Sequence, residues 1–134
     1  MPHLVILHTP NVEPEAQMPA LCRRLADVMV AARDERGQPV FPVGGVRVMA
    51  CAASAFAVAD GSGEHGFIYF NLRMARGRST AVQQAVGQAL SEAARQHLAP
   101  LLARRAVGLT LQIDEGAEVF DAKFGNLHAV FNKG

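Results

Sequence analysis

Apolar and polar positions along this chain fall into alternating blocks of two different periods. Residues 3–8, HLVILH, form a short apolar run closed by Thr9-Pro10 and predict a buried strand. The period then changes. Met18, Leu21, Cys22, Leu25, Val28, Met29 and Ala32 recur at three- and four-residue steps, with Arg23, Arg24, Asp27 and Asp34 off the stripe. This predicts an amphipathic helix from about Pro14, where a missing N–H costs nothing, to Gly37. Residues 45–58, rich in Val and Ala, predict extended chain, and DGSGEHG at 60–66 predicts a connecting loop. From Phe67 to Met74, Ile68, Phe70, Leu72 and Met74 alternate with Phe67, Tyr69, Asn71 and Arg73, as in a strand with two unlike faces.

The pattern repeats. Ser79 or Thr80 can cap a second helix, with Thr80 and Gln83 spaced for a capping box. Its stripe is Val82, Val86, Ala89, Leu90, Ala93 and Leu98, and Pro100 should kink or end it. Val107, Leu109, Leu111 and Ile113 then alternate with Gly108, Thr110, Gln112 and Asp114, which predicts a last half-buried strand. The tail, 115–134, carries apolar residues without a period and is expected to be irregular and to dock on something.

Strand, helix, strand thus occurs twice, in halves of about 2–58 and 66–114 with no linker. The expected fold is one α+β domain: a duplicated β-α-β unit whose two helices cover one face of a four-stranded sheet. The other face, toward which Phe67 and Tyr69 point, would stay bare. Association with further copies is its simplest cover.

Composition narrows the class. Half of the 134 residues are apolar and 19% are charged, which argues against disorder. A formal net charge of +1 and the absence of Trp argue against a nucleic-acid binder. The start, MPHLVILHTP, has no basic leader, and no stretch of about 18 apolar residues could span a membrane. Cys22 and Cys51 show no zinc or redox spacing and read as buried reduced thiols, so a cytoplasmic location is expected.

Several residues could carry chemistry. Pro2 either merely opens the first strand or, with Met1 removed, is a secondary amine titrating near ~8 and lower still beside guanidinium charge. Arg47 lies among Val and Gly in extended chain, where a charge needs a partner: a ligand carboxylate or a structural acid. Arg78 precedes the second helix, whose free N–H groups favour anions; the bland reading is a solvated basic turn, as it is for Arg73 and Arg76. His3, His8 and His128 match no zinc spacing, so no metal site is expected. His3 and His128 could frame a pocket, His8 reads as a polar strand end, and Phe131 could supply an apolar wall.

Met1-Pro2-His3, Gly45-Val46-Arg47, Gly77-Arg78-Ser79 and Asn126-Leu127-His128-Ala129-Val130-Phe131, in this order on the duplicated frame, resemble the tautomerase superfamily. Within it the chain is most similar to the 5-carboxymethyl-2-hydroxymuconate isomerase family of aromatic-acid (homoprotocatechuate) degradation. The resemblance spans nearly the whole chain. It implies a homotrimer, Pro2 as catalyst, substrate carboxylates bound by Arg47 and Arg78 with His3, His128 and Phe131 around them, no cofactor, and ketonisation of a dienol. Residues 48–56, VMACAASAF, are more apolar than the family's pattern. That leaves open another tautomerase activity, on a phenylpyruvate-type acid or as a hydratase-type dehalogenase. A non-catalytic trimeric binding module is the reading from a different class.

Overall fold

The computed structural model describes residues 2–132. Met1, whose removal the Pro2 reading requires, and residues 133–134 of the tail lie outside the described residues. The elements are β1 (His3–His8), α1 (Met18–Ala31), β2 (Arg47–Ala52), β3 (Gly66–Met74), α2 (Thr80–Leu102), β4 (Val107–Glu115) and a short α3 (Leu127–Phe131). Single 3-10 turns occupy Pro10–Val12 and Val43–Gly45.

The sheet order is β2-β1-β3-β4. β1 runs parallel to β2, β3 runs parallel to β4, and β1 and β3 meet antiparallel in the middle. These are two β-α-β units laid side by side, as the repeated pattern predicts. Leu4 and Ile6 of β1 and Ile68, Phe70, Leu72 and Met74 of β3 face the helices and are buried. They meet Leu21, Leu25 and Met29 of α1 and Val82, Val86, Leu90 and Leu98 of α2 in one core. Each large side chain removed from water there contributes about 1.5–3 kcal/mol, and this is what fixes the register of the two central strands.

Most of the opposite face has no cover from the described residues. Val5, Leu7, Met49 and Phe67 all stand exposed on it. The register pairs Val5 with Met49 and Leu7 with Cys51 across β1 and β2.

Several boundaries differ from the sequence expectation. α1 begins at Met18, with Pro19 in its first turn, because residues 10–16 bury Val12 and Ala16 in a separate turn. It ends at Ala31, since Ala32 turns extended and Arg33 bridges Pro39. Gly37, at φ +78°, serves the hairpin between them, where Asp34 Oδ1 accepts from the N–H of Arg36 and Gln38. β2 stops at Ala52, so most of 53–65 is loop. The cap of α2 is Ser79, whose Oγ accepts from Val82 N at 3.2 Å, and the helix runs two residues past Pro100. Neither cysteine is fully buried: Cys22 is half-buried and Cys51 is exposed, because β2 is an edge strand and Cys51 falls on its uncovered face. His8, expected at a polar strand end, is buried on the helix side with Nδ1 3.0 Å from the Thr9 carbonyl. The tail docks only in part. α3 packs on the Val43–Gly45 turn so closely that a side chain at Gly44 would press on His128, while Val119, Phe120 and Phe124 are almost wholly exposed.

Candidate active site

The uncovered face carries charge at one end. The pairing of β1 sets His3 opposite Arg47 of β2 on one side and opposite Arg73 of β3 on the other. Neighbouring strands lie about 4.8 Å apart, so the two arginines stand about 10 Å apart at their Cα atoms with His3 between them. Pro2 is buried immediately ahead of this row.

Over the row lies a cavity of about 700 Å³, walled by the sheet on one side and by residues of the tail on the other, Phe124 and His128 among them. His3, Arg47 and His128, singled out from the sequence, therefore meet in one place. Arg47 donates from Nη1 to the Gly45 carbonyl at 3.1 Å. His3 is half-buried, and its imidazole is held below its ordinary pKa, first by burial and then by the charges of Arg47 and Arg73, with Asp121 pulling the other way. A neutral imidazole can donate and accept at once, and the flanking guanidinium groups make the hollow attractive to carboxylates.

Arg78 and Phe131 are placed elsewhere in the chain. Gly77, at φ +112°, turns the backbone from β3 into α2, a conformation that other residues rarely adopt. Arg78 then reaches back across Phe41, with its guanidinium carbon 4.9 Å from the ring centre. Its Nε and Nη2 donate to the Val40 carbonyl at 3.2 and 3.0 Å, and Nη1 donates to the Ala75 carbonyl at 3.1 Å. Burial pulls its pKa below the usual guanidinium range, but it stays charged at neutral pH. Phe131 lines a second hollow of about 600 Å³ behind Arg47, with Val43 and Met49.

Arg73, read from the sequence as part of a solvated basic turn, also lines the cavity, as do Glu118, Asp121 and Lys123, for which the sequence offered no signal. Arg73 holds Glu118, and Lys123 pairs with Asp121. The alternation of β3 already placed Arg73 on the uncovered face; what was missing was the register that sets it beside His3. Among the described residues no three His, Cys, Asp or Glu side chains gather to hold a metal ion, and no helix is long and apolar enough to cross a membrane.

Comparison with known proteins identifies the relatives of this chain. The family model described as 5-carboxymethyl-2-hydroxymuconate isomerase matches residues 2–131. A curated relative from Escherichia coli, 5-carboxymethyl-2-hydroxymuconate Delta-isomerase, is 28% identical over 131 residues, covering 98% of this chain and 99% of the relative. A crystal structure of a 5-carboxymethyl-2-hydroxymuconate delta-isomerase superposes with a TM-score of 0.96 at 57% identity, covering 100% of this chain and 95% of the other. A 5-carboxymethyl-2-hydroxymuconate isomerase from Deinococcus radiodurans R1 superposes with a TM-score of 0.86 at 34% identity, covering 98% and 95%.

Proposed function

The chain belongs to the 5-carboxymethyl-2-hydroxymuconate isomerase family, and from that premise we propose that it ketonises 5-carboxymethyl-2-hydroxymuconate with the amine of Pro2 as its acid–base group. The observation that carries this reading is the row Arg47–His3–Arg73, which lines a cavity large enough for a small polycarboxylate and whose His3 directly follows buried Pro2 in the chain.

The reaction is a proton relocation. Pro2 nitrogen, freed of Met1 and uncharged, takes the proton of the 2-hydroxyl. The oxygen's electron pair closes the carbonyl, the double bonds shift along the chain, and a remote carbon takes the proton back from the same amine. Atoms and electrons balance with no other reactant. Burial and neighbouring guanidinium charge both disfavour a protonated amine, so the base stays available near neutral pH. Arg47 holds a carboxylate and draws electron density toward the forming ketone, the kind of preorganised charge that dominates many proton transfers. His3 and His128 frame the substrate.

Within its own chain Arg78 lies outside the cavity and donates to the Val40 and Ala75 carbonyls, so a second carboxylate contact from it has to cross a subunit boundary. Such a contact requires further copies of the chain, which we propose form a homotrimer. The exposed side chains of Val5, Leu7, Met49 and Phe67 support it, being apolar surface that a second copy would cover.

The test is ultraviolet-followed ketonisation of 5-carboxymethyl-2-hydroxymuconate by two preparations, one with Met1 removed and one retaining it. The processed form is expected to be faster by about 10²–10⁴-fold, the usual contribution of a positioned acid–base group. Equal rates would remove Pro2 from the mechanism.

A further inference from the structure

The cavity contains its own carboxylates. Arg73 donates from Nη2 and Nε to Glu118 Oε1 at 3.1 and 3.4 Å, and both residues line the hollow. Asp114, the register neighbour of Arg73 on β4, is engaged otherwise: its Oδ2 accepts from Asn71 at 2.9 Å. Glu118 therefore comes to Arg73 from the segment that follows β4, and its carboxylate folds back over Gly116. That segment is anchored at its base, where Gly116 N donates to the Met74 carbonyl at 2.8 Å and Arg76 Nε donates to the Gly116 carbonyl at 3.0 Å. A side chain at Gly116 would run into the Glu118 carboxylate. The fold-back thus depends on a glycine two residues ahead.

The pair is built to be exchangeable. Its side chains are 50% and 42% exposed, and such half-exposed ion pairs are weak because water competes for both partners. A carboxylate arriving on a bound polyanion, already held elsewhere in the hollow, competes with Glu118 on favourable terms.

We infer that Arg73 is a further carboxylate-binding residue of this site and that Glu118 is its built-in occupant, displaced when a polycarboxylate substrate binds. The inference deepens the isomerase reading and rests on it for the identity of the substrate. Arg47 and Arg73, on either side of His3, then take carboxylates from the two ends of one molecule. A ligand with one carboxylate satisfies only one of them, so Arg73 selects for additional negative charge.

The test uses tricarballylate, an unreactive tricarboxylate, with binding read by calorimetry on the wild type, E118Q, G116A, R73Q and the R73Q/E118Q double variant. Glu118→Gln removes the competing charge, and Gly116→Ala displaces the same carboxylate without changing charge. Both should tighten binding about two- to fivefold, the scale of an exposed ion pair. Arg73→Gln should weaken it about tenfold, the scale of one charge-assisted contact, and adding E118Q to R73Q should restore nothing. If E118Q and G116A bind as the wild type does or more weakly, or if R73Q binds undiminished, the pair is only a surface bridge and the inference is wrong. KM for 5-carboxymethyl-2-hydroxymuconate should follow the same order. A wild type that fails to turn over that dienol would count against the isomerase reading alone, because the calorimetric result judges Arg73 independently.

Discussion

The two faces of the sheet are made by the same four strands and obey opposite rules. On the helix side Leu4, Ile6, Ile68 and Leu72 are fully buried, and His8 at the end of β1 is the polar exception among these strand positions. On the other side the strands present Val5, Leu7, Met49 and Phe67 to solvent and end in the Arg47–His3–Arg73 row. One face holds the chain together. The other carries the charged row and leaves its apolar residues uncovered by the described chain. A residue's position in the two-residue repeat of its strand therefore decides which kind of damage its loss would do.

The strongest way to break this comparison is to cross it. Phe70→Ala, in the core, should cost about 3–5 kcal/mol of unfolding free energy, read from denaturant melts. Tyr69→Ala, one residue away on the other face, should leave single-chain stability within about 1 kcal/mol. Similar losses at both positions would mean that the two faces are not distinct.

A second contrast concerns assembly. Leu7→Asp places a charge in the middle of the uncovered face, where an interface core would have to desolvate it. The association constant should fall by at least about 100-fold, and sedimentation should show single chains at concentrations where the wild type is assembled. Unchanged sedimentation would locate the contact elsewhere.

Within the charged row, Arg47→Ala should raise KM about 10- to 100-fold through loss of a charge-assisted carboxylate contact. Arg78→Ala should differ in kind by also lowering the melting temperature, because three hydrogen bonds to the Val40 and Ala75 carbonyls go with it. An Arg78→Ala protein that melts like the wild type would assign those contacts no structural weight.

Much of this was legible in the sequence. The alternation in 67–74 and 107–113 gave β3, β4 and their two faces, because a strand with one buried side cannot slip by one residue without exposing its core. Helix ends were read less well. Pro14 and Gly37 have the chemistry of a start and a stop, but the chain uses them in neighbouring turns, and only tertiary packing of Val12 and the Arg33–Pro39 bridge decides that. Pro2, His3 and Arg47 were recognisable as a group from their motifs. Arg73 was not, because in the string RMARGR it looks like any basic turn, and its meaning comes from a pairing 70 residues away with His3. Glu118 was invisible for the same reason: it lies in a tail with no period, and its partner is named only by the folded chain.

The smallest expected effect is on pH dependence, and its sign follows from His3. Its folded-state pKa lies below the usual 6.5, through burial first and then the charge of Arg47 and Arg73. The unfolded chain therefore binds a proton more readily. The folded state carries no penalty above pH 6.5, then loses stability as pH falls through that value toward the lowered one. Because the ring is only half-buried, the loss should stay under about 1 kcal/mol. Replacing His3 by Asn should flatten the stability profile between pH 7 and 5; a profile of unchanged slope would show that the row does not act on the ring.

The proposed mechanism depends most directly on the state of the mature amino terminus. Nitrogen-15 NMR of the Met1-processed protein, labelled at proline, can follow the titration of the Pro2 amine in the assembled enzyme. The expected result is a midpoint clearly below the ~8 of an ordinary terminal amine, with the amine largely uncharged at neutral pH. A midpoint at or above ~8 would contradict a base held in a guanidinium-lined hollow.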